Sequence, residues 1–330
     1  MLRVGLVGTG DAGRHHARAL SLVAAEGGLA WTAVAARDAT GVAAFRSELS
    51  VAAAVRSFSS LEALIDARVC DAVILATPDG IHAEQVELSA REGLHVLVEK
   101  PLALSRHDGA RAVESARVSG VCLAVGYHLR HHRAHRTIVE RLPELIGQVR
   151  TMFVRWAWPD PATSGWRAKG NGARFWSLAA LGTHGIDLAM WIAGAGAADV
   201  DVAAITLPRG EIDRTAEVTM RLGGVLAHVS VSVEHRAVSR VIVTGDSGEL
   251  EAIGTLGARG DGELFHRAHR QPQVAIAFDA ESPYAAQLRD FVARVPSGFT
   301  DDPSLLANLD VLDRKALPAG TPKTKPRLRT

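Results

Sequence analysis

The chain has 330 residues, 47% hydrophobic and 22% charged, with 37 basic against 36 acidic side chains. That length suits two domains with a sizeable core, and the high apolar content with a formal charge of +1 excludes a long disordered chain and argues against a general nucleic-acid binder. Cys70 and Cys122 are too few for a disulfide scaffold, the opening residues lack a secretory-signal pattern, and no apolar run reaches the ~20 residues of a membrane span, so a cytoplasmic protein is expected.

Residues 1–125 alternate apolar runs with alanine-rich helical stretches. The runs are Arg3–Val7, Trp31–Ala36, a weaker one near Ala53–Ser57, Ala72–Ala76, His95–Val98 and Val121–Val125. Helices are predicted near Arg14–Ala25, Gly80–Glu92 and Arg106–Val118. Continuous apolar runs separated by helices are the pattern of a parallel sheet covered on both faces, hence an α/β class with a doubly wound N-terminal domain. Residues 126–330 read differently. A helix near His131–Ile146 precedes strands at Val149–Trp158, Asp199–Thr206, Thr215–Leu222, Val225–Val233 and Ser239–Thr244, with turns such as Gly223-Gly224 between them. Short turns predict a large, mostly antiparallel sheet. Helices near Pro283–Val295 and Pro303–Leu312 close the chain, and the tail from Pro318 is expected to be mobile.

The first strand runs into Gly8-Thr9-Gly10-Asp11-Ala12-Gly13, followed by the helix starting Arg14-His15-His16. Gly8 permits the tight turn, Gly10 leaves room for a pyrophosphate, and Gly13 lets helix and sheet approach closely. The helix N-terminus offers unpaired N–H groups and positive partial charge to the phosphates. The turn therefore predicts a dinucleotide site. At the end of the second strand, where an acid would bind an unmodified ribose, stand Ala36 and then Arg37, whose guanidinium suits a 2′-phosphate. NADP is favoured over NAD, although Asp38 would serve NAD if the pattern shifts by one residue.

Two further strand ends carry Thr77-Pro78-Asp79 with His82, and Glu99-Lys100-Pro101. Ligands of open α/β sheets bind beyond the strands' carboxyl ends, so Lys100 is predicted in the cleft, where an ammonium group can take part in proton transfer. Together with Gly126-Tyr127-His128, Arg130, Trp166-Arg167 and Gly182-Thr183-His184 with Asp187, these residues resemble the glucose–fructose oxidoreductase, inositol dehydrogenase and MocA family over nearly the whole chain.

The resemblance implies a Rossmann domain and a substrate domain whose sheet often mediates oligomerisation. It also implies pyridine-nucleotide chemistry on sugars, polyols, diols or related compounds, in a homodimer or homotetramer. By position it places Glu99 and Lys100 beside the nicotinamide ribose and substrate, Thr77, Pro78 and His82 at the adenosine side, and His184 as acid or base. Many family dehydrogenases have an Asp four residues before that His, whereas this chain has Ala180. Asp187 could substitute, three residues further along a helix, or Lys100 alone could relay the proton.

The histidines 128, 131, 132 and 135 crowd a basic segment without a carboxylate, which disfavours a metal; none is predicted. His128, Arg130, Trp166, Arg167 and Asp187 are the candidate substrate contacts, while Trp156, Trp158 and Trp176 fit core packing equally well. Two other functions share this fold: a dinucleotide-binding regulator without catalysis, and a glycosidase that uses its cofactor without net redox change.

Overall fold

The computed structural model describes residues 1–159, 176–196, 199–207, 213–313 and 317–318, with backbone alone at 202–204, 207 and 317–318. Strands β1 (Arg3–Val7), β2 (Ala30–Ala35), β3 (Arg56–Phe58), β4 (Ala72–Leu75), β5 (His95–Val98) and β6 (Leu123–Val125) form one parallel sheet in the order β3-β2-β1-β4-β5-β6. Its helices are α1 (Asp11–Ala25), α2 (Ala39–Glu48), α3 (Leu61–Asp66), α4 (His82–Arg91) and α5 (Arg106–Ser119). Every residue of β4 is buried, as expected of a strand covered on both faces. The order in which strands are added reverses between β1 and β4, which opens a crevice at their carboxyl ends.

The second half contains α6 (Arg133–Leu145), β7 (Val149–Ala157), one π-helical turn (Leu178–Gly182) leading into α7 (Thr183–Ala193), and β8 (Val200–Leu207). Then come β9 (Thr215–Leu222), β10 (Val225–Ser232), β11 (Arg240–Gly245), β12 (Gly248–Ile253), β13 (Glu263–Ala268) and β14 (Val274–Ala275). Helices α8 (Pro283–Arg294) and α9 (Ser304–Leu312) precede the two-residue β15 (Leu317–Pro318). The nine strands are ordered β14-β13-β12-β11-β7-β10-β9-β8-β15. Most pairs are antiparallel, but β10 runs parallel to β7 and β15 parallel to β8.

Alternation decides which face of this sheet meets helices. Val225, Ala227, Val229 and Val231 of β10 are buried, while Leu226, His228 and Ser230 point to the other face. Helix α7 lies on the buried face so closely that a Cβ on Gly185 would approach Val229 Cγ1 to 2.7 Å. Helix α8 crosses back to the first half. Its Tyr284, Ala285, Leu288 and Phe291 share a core with Ala17 and Leu20 of α1 and with Leu97, Cys122 and Ala124 under the parallel sheet. Of the tail expected to be mobile, residues 319–330 lie outside the described residues.

Candidate active site

The first site residues follow from the backbone of the glycine turn. Gly8 has φ +107°, and a Cβ there would overlap the Ala76 carbonyl at the end of β4. A Cβ on Gly13 would overlap the Gly8 carbonyl, so both glycines answer a packing demand within the fold. Gly10 differs: a Cβ there would meet nothing within 4 Å, so the space before it is open. It opens onto a cavity of about 1000 Å³, at the upper end of small-molecule sites. Gly8, Thr9, Gly10, Asp11, Ala12, Ala36, Arg37, Thr77, Pro78, Glu99 and Lys100 all line it. Gly13 and His82 stay behind its wall. A dinucleotide fits this donor set and this open cradle.

Arg37 is exposed on the cavity wall, and its side chain makes no hydrogen bond or ion pair among the described residues. Asp38 is used in part. Its Oδ1 accepts from the Thr40 N–H at 3.0 Å, capping α2. The cap uses one of the two carboxylate oxygens, and Asp38 lines the cavity beside Arg37.

His82 is fully buried, with Nε2 2.8 Å from the Thr77 carbonyl and Nδ1 2.8 Å from the Pro101 carbonyl. Its ring thus ties together the two loops that bring Thr77-Pro78 and Glu99-Lys100 to the cavity. The Lys100-Pro101 peptide bond is cis. Glu99 is buried against His16 of α1, Oε1 to Nε2 at 2.8 Å. Burial would raise the Glu99 carboxyl, but the His16 hydrogen bond and charge, with Lys100 and His128 nearby, outweigh it and bring the group to about 2. Gly126 is a glycine because a Cβ there would sit 3.2 Å from Glu99.

Lys100 reaches across to the second half. Its Nζ donates to the carbonyls of Ala179 at 3.1 Å and Ala180 at 3.0 Å, on the π-helical turn. His184 follows that turn as the second residue of α7. It is buried, and burial, aided by His128 and Lys100, holds its pKa well below the ordinary imidazole value. Its Nδ1 has no hydrogen-bond partner among the described residues. The His128 ring meets it edge-on at 4.6 Å between centroids, and Trp156 lies 5.8 Å away. His128 in turn stacks on Tyr284 of α8 at 4.4 Å, and His15 stacks near the same tyrosine at 5.1 Å. Burial lowers His128 to about 3, with Lys100 acting in the same sense against Glu99. Both shifts favour the uncharged imidazole over the imidazolium.

The structure does not bring Asp187 to His184. Both Asp187 oxygens are taken by Arg130, Nη2 to Oδ1 at 2.5 Å and Nε to Oδ2 at 2.8 Å. Arg130 lines a separate cavity of about 290 Å³ with Arg136, Arg294 and Asp290, away from Lys100. Among the described residues, no carboxylate replaces at His184 the one absent at Ala180, whereas the Ala180 backbone carbonyl serves Lys100. Trp166 and Arg167 lie outside the described residues. Trp176 is buried under Arg214, and Trp158 is 52% exposed with Arg236 stacked on it. His132 and His135 are bonded to the Asp261 carbonyl and to the Leu129 carbonyl and Thr255 hydroxyl, respectively.

Three site residues escaped the sequence reading. His16 had a signal, since it falls on the helical stripe of Gly13, Ala17 and Leu20, where a polar side chain needs a partner. Tyr284 and Asp213, the latter bonded to the residues that open the π turn, had none.

Residues 2–127 match the family described as an oxidoreductase family with an NAD-binding Rossmann fold, and residues 136–251 match the GFO/IDH/MocA C-terminal domain. The chain is a member of the GFO/IDH/MocA oxidoreductase family. A curated relative, dTDP-3,4-didehydro-2,6-dideoxy-alpha-D-glucose 3-reductase of Actinomadura kijaniata, is 30% identical over 309 residues, 90% of this chain and 88% of that one. The 1,5-anhydro-D-fructose reductase of Ensifer adhaerens is 36% identical over 114 residues, only 34% of either chain. In fold, this GFO/IDH/MocA protein is similar to a 3-ketoreductase from Actinomadura kijaniata in complex with TDP-benzene and NADP. The TM-score is 0.84 at 24% identity, over 96% of this chain and 98% of that one. Among the described residues, no helix is long and apolar enough to cross a membrane.

Proposed function

We propose that this family member interconverts a hydroxyl and a carbonyl on a sugar, polyol or diol, using NADP in preference to NAD, with Lys100 and His184 moving the proton. The observation that carries the reading is that Lys100 lines the glycine-turn cavity while its ammonium is held by the turn that leads into His184. When bound, the nicotinamide supplies or accepts the hydride. Gly8 to Ala12 and the N-terminus of α1 would hold the pyrophosphate, Arg37 the 2′-phosphate, and Thr77, Pro78 and Glu99 the neighbouring walls.

The pair would move one proton both ways: Lys100 with His184 takes the hydroxyl proton in oxidation, and the same pair returns it to the carbonyl oxygen in reduction. His128 and Trp156 border the substrate side of that pair. The relatives' sugar substrates support the substrate class. Lys100→Met tests the assignment. NADPH binding, followed by fluorescence titration, is expected to persist while turnover on a panel of sugars, polyols and diols falls ~10³-fold. Undiminished turnover removes Lys100 from the mechanism. A wild-type protein that binds NADPH and converts no panel member would instead be a regulator, and sugar release without net redox change would mark a glycosidase.

The same proposal places a boundary between the nucleotide and substrate units at residues 125/126, and the protein in the cytoplasm, consistent with two free, buried cysteines. It also assigns the face of the nine-stranded sheet opposite α7 to a homodimer or homotetramer. That face carries Leu226, 53% exposed, and the stacked Phe153–His228 pair. Light scattering on Leu226→Arg is the test, with a shift to smaller species expected.

A further inference from the structure

The Lys100 ammonium is held by two carbonyls of the π-helical turn, and the turn's geometry explains one of them. In the π turn the Thr183 N–H reaches back five residues to the Leu178 carbonyl, so the Ala179 carbonyl, its partner in α geometry, is left for another donor. Lys100 is that donor. Such a turn is less regular than an α-helix and needs outside support to be kept in one geometry. The support is visible at its start. Asp213, 2% exposed and two residues before β9, accepts from the Trp176 N–H at 2.7 Å on Oδ1, and from the Leu178 N–H at 2.7 Å and the Ser177 hydroxyl at 2.9 Å on Oδ2. Its own carbonyl accepts the Ser177 N–H at 2.8 Å. Four bonds thus fix three consecutive residues from a strand end 35 to 37 positions further along the chain.

We propose that Asp213 is a positioning residue, which anchors the π-helical turn so that the carbonyls of Ala179 and Ala180 face Lys100 and hold its ammonium at the cavity. Asp213 is absent from the cavity lining and acts only through the turn. The anchor is suited to the task, because a carboxylate bonded to N–H groups at a helix start gains from the charge and dipole of those donors. Carbonyl oxygens stabilise the ammonium over the free amine, so loosening the turn lowers the Lys100 pKa and raises the fraction present as reactive free amine at a given pH. Among the described residues, the other titratable groups facing Lys100 are Glu99 beside it, His128 from the turn after β6 and His184 from α7. None of them is altered in the variants below.

The inference rests on the assignment of Lys100 to the site, and its test needs no substrate. The rate of Lys100 acetylation by acetic anhydride is measured across pH by peptide mass spectrometry, with the remaining lysines as internal controls. In Asp213→Asn, Lys100 is expected to react ~3- to 10-fold faster at pH 8, its midpoint lowered by about half to one unit, with NADPH binding kept. Ser177→Ala, which removes one of the carboxylate's three bonds, is expected to give a smaller shift, ~2-fold, in the same direction. Unchanged Lys100 reactivity in an Asp213→Asn protein that binds NADPH overturns the proposal. Should Asp213→Asn lose NADPH binding, Ser177→Ala decides, and an unchanged rate there overturns it equally. Full turnover in Lys100→Met would sink the mechanistic reading while leaving the labelling result intact.

Discussion

Two turns at the ends of helices build this site, and they do so by opposite means. The glycine turn before α1 works by removing side chains: Gly8 and Gly13 let backbone meet backbone, and Gly10 leaves open space. The π turn before α7 works by adding bonds, from Asp213 at its start and Lys100 at its middle. One is specified by residues within a single hexapeptide. The other is specified by partners brought from distant strands. The first turn needs only glycines that neighbour one another in sequence, whereas the second needs partners from elsewhere in the chain.

The sharpest break of the comparison is Gly10→Val. Its side chain would enter open space, so thermal stability is expected to hold within about 2 °C while NADPH binding falls more than ~100-fold by fluorescence titration. Gly8→Ala should do the reverse, destabilising the protein because both φ and the Ala76 carbonyl forbid a Cβ. At the second turn, His184→Gln is expected to keep NADPH binding and lower turnover ~10²-fold, the usual scale for an acid–base group. Loss of cofactor binding in His184→Gln would merge the two turns into one function.

Arg130→Ala probes a residue that both turns leave out. It strands the Asp187 carboxylate in the core, and a cost of ~3–5 kcal/mol in urea unfolding is expected. Arg37→Ala is expected to weaken NADPH ~10-fold and leave NADH unchanged, since only the 2′-phosphate loses its guanidinium. Equal weakening of both cofactors would remove Arg37 from the choice.

The smallest effect is on pH dependence. Glu99 has its carboxyl lowered from 4.5 to about 2, so its contribution is present above 4.5 and is lost as pH falls from 4.5 through about 2. His128, lowered from 6.5 to about 3, favours the folded state above 6.5 and loses that contribution as pH falls toward 3. Thermal melts are therefore expected to decline steadily from pH 7 to pH 3. In His128→Phe the decline above pH 4.5 should become shallower.

What the sequence made legible follows the same division. Strands β1, β5 and β9 occupy the predicted spans, because buried runs and two-residue alternation are local signals. Helix α2 went unseen because only Val42 and Phe45 of its ten residues are buried, and α3 because six residues hold less than two turns. Strand β12 reads GELEAI, in which Glu249 and Glu251 alternate with buried Leu250 and Ala252; the period is present, but glutamate is depleted in strands. The glycine turn and Lys100 were readable from their motifs. The pairing of Arg130 with Asp187 was not, because 57 residues separate them and either could have reached a ligand. Asp213 shows the limit: a single acid whose partners are main-chain N–H groups and one hydroxyl leaves no pattern to find.

Helix α8 carries a consequence for anyone wishing to exchange parts among relatives. Its Leu288 and Phe291 are embedded beside Leu20 and Val23 of α1, though more than 260 positions separate them in the chain. A graft of the coenzyme half cut after β6 would leave that helix behind and bare an oily wall to water. A working chimera has to be discontinuous, taking residues 283–294 from the same donor as the first strand.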